Sequence, residues 1–189
     1  MTWNSIMGLL SSIAISLPIL FILLFRLGEY RSFVALLIYY IILLVNNLLT
    51  DGYLRASADT IEIFNICKNL LEAPLVLFFL TYFNPSSLFT KKIKIAILTV
   101  VAFELCALLI VGFNSNAVTL FWGAALITVF VFCLQLFVRQ AKIAIMHNKG
   151  SGKVVITASL LIAFGCNLII YLVYYVFKNQ NVEDRKSVV

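Results

Sequence analysis

Six apolar stretches, at about 7 to 25, 33 to 50, 61 to 83, 95 to 113, 117 to 138 and 154 to 177, alternate with short polar connections along the chain. Each is close to the roughly 20 residues that an α-helix needs to cross a hydrocarbon core. None shows the period-two alternation of a barrel strand, and all exceed the roughly 10 residues of one. The pattern predicts an all-α protein, a polytopic transmembrane helix bundle with six spans present.

The third stretch departs from the others. ICKNLLEAPLVLFF, residues 66 to 79, carries Lys68 and Glu72 where a charge costs about 2.5 to 3.5 kcal/mol on insertion scales. On a 3.6-residue period Asn65, Lys68, Asn69 and Glu72 share one face, with Glu62 beyond them toward the end of the segment. Leu70, Leu71, Leu75, Leu77 and Phe78 are left to meet lipid or other helices. The polar stripe is therefore expected to point into the bundle. Lys68 and Glu72 are spaced i, i+4, so they can neutralise one another within the helix, although Lys before Glu is the weaker order. Pro74 follows and withdraws the amide that the Leu70 carbonyl would otherwise accept from, a local cause for a kink.

Glu104, within VVAFELCALL of the fourth stretch, falls at nearly the depth of Glu72. Two carboxylates against one ammonium leave an excess negative charge that burial resists, so one carboxyl is expected to keep a proton or reach a cation. Asn46 and Asn47 lie near the end of the second stretch, Gln135 toward the end of the fifth, and Asn167 in the middle of the sixth. Amides at such depth also serve as interhelical contacts worth about 0.6 to 2 kcal/mol. Asn65, Lys68, Asn69, Glu72, Glu104 and Asn167 are the candidate polar intramembrane site. Most of these groups fall in the outer and middle thirds, and a cavity opening outward is the expectation.

Composition agrees with a membrane protein. The chain is 63% hydrophobic and 12% charged, with a mean hydropathy of +1.07, against about 25% charged in soluble domains. A net charge of +6 suits nucleic acid in principle. Here, however, the basic residues are dispersed over loops and encode orientation instead. Arg26, Arg31, Lys91, Lys92, Lys94, Arg139, Lys142, Lys149 and Lys153 fall on one side, and only Arg55 and Lys178 on the other. The richer side is read as cytoplasmic, where it meets anionic lipid headgroups, and the amino terminus as outside. The first stretch has no basic leader or small-residue cleavage site, and Arg26 follows it. It is read as a retained span, in the inner (cytoplasmic) membrane of a bacterium.

No catalytic constellation is evident. Cys67, Cys106, Cys133 and Cys166 sit singly in separate apolar stretches and are expected to be small buried hydrophobes. The only histidine, His147, follows the fifth stretch, so no metal site is expected at membrane depth. KGSGKV lacks the first glycine of a phosphate loop and has Val154 where the metal-binding hydroxyl would stand. No cofactor is implied. RQAKIAIMHNKGSGK is expected to prolong the fifth helix before breaking at Gly150 and Gly152. Tyr53, Trp122, Tyr171, Tyr174 and Tyr175 are expected at the outer interface and Tyr82 at the inner one.

The last six residues, DRKSVV, match the in-frame translation of a widely used sequencing adapter. Residues 1 to 183 are accordingly read as one multi-pass membrane domain and residues 184 to 189 as a non-native tail. A natural chain continuing past Glu183 would add a seventh helix and bring its end inside. The run LLEAPLVLFFLTYF, followed by a polar turn and the lysines at 91, 92 and 94, is similar over about 30 residues to the membrane part of bacterial multi-helix sensor proteins. That resemblance implies a kinase or helix-turn-helix output domain on the cytoplasmic side as a partner. The functional expectation is a receptor or sensor-type membrane module whose polar site takes a small-molecule or ion ligand. One alternative is a small proton- or ion-coupled transporter using Lys68, Glu72 and Glu104. Another is a non-catalytic assembly subunit packing through Gly123, Ala124 and Ala125.

Overall fold

A computed structural model describes residues 3–84, 86–147 and 151–186, and the side chains of 6–84, 86–114, 117–147 and 152–174. The chain forms six long helices: α1 (Trp3–Leu24), α2 (Arg31–Thr50), α3 (Ala58–Leu80), α4 (Ser87–Val111), α5 (Ser115–His147) and α6 (Ser151–Lys186). Single 3-10 turns follow α1 at Leu27–Glu29 and α3 at Thr81–Phe83, and there is no strand among the described residues. All six helices contain a segment long and apolar enough to cross a membrane. The protein is an all-helical, multi-pass membrane protein.

The helices overrun the apolar stretches where capping and interfacial residues prolong them. The start of α3 is capped by Ser57, whose Oγ accepts from the Thr60 amide at 3.2 Å. Ser86 does the same for α4, accepting from the Phe89 amide at 3.4 Å, so that helix begins well before residue 95. Polar caps lie outside the hydrophobic window and escape a hydropathy reading. The α5 helix runs through the basic segment to His147, as expected, but Gly152 lies inside α6 instead of breaking it. Lys149 and Gly150 lie outside the described residues, as do 187–189 of the tail and the side chains of Tyr175 and Lys178. Pro74 is accommodated inside an unbroken α3.

By its internal packing the chain divides into two compact units, Met1–Trp122 and Gly123–Val189, with the boundary inside α5. In the first unit α3 is central, flanked by α2 and α4, with α1 against α2. Burial on α3 is concentrated in its second half, where Ala73, Val76, Leu77, Phe79 and Leu80 are enclosed. The buried positions of α4, namely Phe89, Ile93, Val100, Glu104 and Ala107, recur every three, four or seven residues and form a single stripe. Ala107 joins Ala117 and Phe121 in a tight cluster against which Leu70, Leu108, Val118 and Trp122 pack.

The second unit is held by notches. A Cβ at Gly123 would lie 2.5 Å from the Tyr171 ring, and one at Gly165 would lie 3.3 Å from Phe130. Each glycine is a recess that receives an aromatic ring from the other helix, a close approach open only to the smallest residue. Ala125, Leu126, Val129, Cys133, Leu136 and Gln140 form the buried face of this part of α5. Gln140 is a polar member of that face that hydropathy alone does not single out.

All four cysteines are free thiols, but only Cys133 is buried; Cys67, Cys106 and Cys166 are exposed. The expectation of four buried cysteines is corrected for a physical reason. Burial statistics reflect avoidance of water, whereas an exposed position on a spanning helix faces hydrocarbon, where a weakly polar thiol is tolerated.

Candidate functional site

The adjacent amides Asn46 and Asn47 divide the end of α2 between two neighbours. Asn47 and Asp51, one turn apart, turn toward α1. The Asn47 Nδ2 donates to Ser12 Oγ at 2.9 Å, and the Asp51 carboxylate lies over Gly8, where a Cβ would meet it at 2.5 Å. Asn46 and Thr50, one residue earlier and again one turn apart, turn toward α3. With Ala58, Ile61, Glu62 and Asn65 they line an open cleft of about 640 Å³. The Thr50 hydroxyl donates to the Asn46 carbonyl at 2.8 Å, leaving its oxygen able to accept. The Asn46 Oδ1 is buried without a hydrogen-bond partner among the described residues. Neither Glu62 nor Asn65 is engaged by another side chain among those residues.

From this cleft the polar face of α3 runs inward. Asn65 is exposed at the cleft, Lys68 is half-buried, and Asn69 and Glu72 are buried. Glu72 does not rely on Lys68 alone. Its Oε1 accepts from the Tyr39 hydroxyl of α2 at 3.2 Å. Lys68 acts on the carboxylate at Coulombic range, and the Trp122 indole also interacts with it. The carboxylate is thus bonded to α2 and has polar neighbours on α3 and at the start of α5. An i, i+4 pair closed within α3 is not how its contacts are distributed.

Glu104 stands differently. It is 1% exposed, and its Oε1 has no hydrogen-bond partner among the described residues. Because Leu70 packs near Ala107, one turn from Glu104, the two carboxylates lie at comparable depth on neighbouring helices. A buried carboxyl oxygen without a donor is costly, about 1 to 3 kcal/mol or more, and is therefore a candidate for function.

The structure brings Asn65, Lys68, Asn69 and Glu72 onto one continuous face and buries Glu104 on the stripe of α4. Asn167 belongs to the second unit, half-buried on α6. Two contributors are not evident from the α3 pattern alone. Tyr39 falls within an apolar run, and Trp122 looks like an interfacial aromatic, yet both address Glu72. A signal for the first does exist, since Tyr39, Asn46 and Thr50 are spaced by seven and four residues and so share one face of α2.

At the opposite end of the α2–α3 pair the contacts among the described residues are aromatic. Phe33 meets Phe79 edge-on at 5.2 Å and Tyr82 at 4.9 Å, while Phe83 packs on Phe79 at 5.3 Å and Tyr82 on Tyr30 at 5.7 Å. Ser32 and Thr81 add a hydroxyl contact at 3.2 Å. Compared with protein-family models, with curated proteins and with solved structures, the chain finds no match in any of the three.

Proposed function

We propose that the protein is a receptor or sensor-type membrane module whose ligand enters the cleft between the end of α2 and the start of α3. The observation that carries this reading is an open cleft whose exposed lining side chains Glu62 and Asn65 have no hydrogen-bond or ion-pair partner among the described residues. Acceptors left unused beside an open volume are what a ligand with hydrogen-bond donors would satisfy. The cleft end is read as the outer one because most loop lysines and arginines fall on the other side. From Asn65 the polar face descends through Asn69 to Glu72, which Tyr39 ties to α2. A ligand that draws the two helix ends together therefore changes the strain on a contact near mid-span. In the purified protein, a ligand found by thermal-shift screening should lose its stabilising effect in Asn65→Leu and have it altered in Glu72→Gln. A wild-type response in both variants would reject the site.

A carrier reading draws on a separate observation, the buried Glu104 oxygen that no donor among the described residues satisfies. A carboxyl in that state at mid-span suits reversible protonation or cation contact. Reconstituted protein should then move protons or solute across liposomes, with the flux abolished in Glu104→Gln. Flux that persists in Glu104→Gln would remove that residue from the path.

A further inference from the structure

The chain is basic as a whole, yet the segment bordering the cleft is not. Residues 51 to 62 carry Asp51, Asp59 and Glu62 against the single Arg55, so this end is locally acidic on a chain of net charge +6. Of these acids, Glu62 lines the cleft itself. Asp51 is committed to the α1 side, over Gly8.

Glu62 and Thr50 of the lining both present acceptor oxygens. A carboxylate accepts only. The exposed Thr50 oxygen can accept because its proton is already given to the Asn46 carbonyl. The start of α3 would by itself favour an anion, although Ser57 Oγ already accepts from one of its free amides, that of Thr60, and Glu62 sets the charge of the cleft. Ile61 and Ala58 supply an apolar wall beside these groups.

We infer that the cleft binds an ammonium group carried on a short aliphatic body, with Glu62 as its counter-charge and Thr50 Oγ1 as a hydrogen-bond acceptor. The alkyl part rests on Ile61 and Ala58. The inference builds on the receptor reading above and specifies its ligand. Such a group arrives either as a free amine or as the ethanolamine headgroup of a neighbouring lipid, and both present the same –NH₃⁺ donors.

The test uses the full chain in nanodiscs of phosphatidylglycerol, with melting temperature followed against n-butylammonium, n-butanol, butyrate and Mg²⁺. Stabilisation by n-butylammonium alone is expected, with its apparent affinity weakened about tenfold or more in Glu62→Gln. Asp59→Asn removes an equal charge nearby without touching the cleft and is expected to retain the affinity within about threefold, as screened attraction alone predicts. Repeating the titration in phosphatidylethanolamine nanodiscs separates the sources. A weakened n-butylammonium response there identifies the headgroup as a competing occupant, and an unchanged one identifies a free amine.

Stabilisation by butanol or butyrate that disappears in Asn65→Leu would overturn the ammonium assignment while leaving the receptor reading intact. Stabilisation by Mg²⁺ in place of n-butylammonium, lost in Glu62→Gln, would do the same in favour of a metal ion. A response to none of the four probes would overturn the ammonium assignment, while the receptor reading stands or falls on the wider screen with Asn65→Leu and Glu72→Gln.

Discussion

The two ends of the α2–α3 pair are built from opposite materials. One is closed by Phe33, Phe79, Tyr82 and Phe83 in edge-on contact. The other opens into a cleft lined by Asn46, Thr50, Glu62 and Asn65. Aromatic packing is dense and short-ranged, so it fixes a distance between helices. An open polar lining fixes no distance until something fills it. The contrast teaches that one helix pair can be pinned at one end and adjustable at the other, with the Tyr39–Glu72 contact as the gauge between them.

Breaking the pinned end should have the largest effect. Phe79 is 1% exposed and touches both Phe33 and Phe83. Phe79→Ala should therefore destabilise the protein by about 3 to 5 kcal/mol, read as a lowered unfolding midpoint in detergent. A loss under about 1 kcal/mol would mean that the aromatic cluster does not anchor the pair.

At the gauge itself the expected effect is smaller. Tyr39→Phe deletes one interhelical hydrogen bond without changing ring volume, and should cost about 0.6 to 1.7 kcal/mol by the same measurement. Combining it with Glu72→Gln tests whether the two act as one contact. The double variant should lose less than the sum of the single losses, and full additivity would argue that the hydroxyl and carboxylate are independent.

The adjustable end should respond least in stability. Asn46→Leu removes a buried polar oxygen that has no partner among the described residues, so the unfolding midpoint should rise or stay within about 0.5 kcal/mol of wild type. A marked destabilisation would show that Asn46 is a structural contact, and would erase the difference between the ends.

Much of this arrangement is legible along the chain because membrane spans obey a simple rule. Backbone polar groups must be satisfied within each helix, so length and hydropathy locate all six spans. The α3 stripe is legible for a related reason, since charge in hydrocarbon is costly and its 3.6-residue spacing puts Asn65, Lys68, Asn69 and Glu72 on one face. Helix ends are less so, as the early start of α4 shows, because a serine cap leaves no hydropathy signature. The exposed Cys67, Cys106 and Cys166 escape a reading based on water avoidance. Partners are the least legible of all. Nothing in an apolar run such as VALLIYYII says that Tyr39 will reach a carboxylate 33 positions away along the chain.

By itself, then, the sequence determines the class, the number of spans and the faces on which polar groups lie, since these follow from local periodicity and the cost of charge in lipid. Only the tertiary structure decides how those faces are matched. It assigns Asn47 to Ser12 and Asn46 to the cleft, joins Glu72 to Tyr39, and leaves the Glu104 oxygen without a donor among the described residues. Helices in hydrocarbon find one another through packing and a few polar contacts, and that fit depends on side chains distant in sequence.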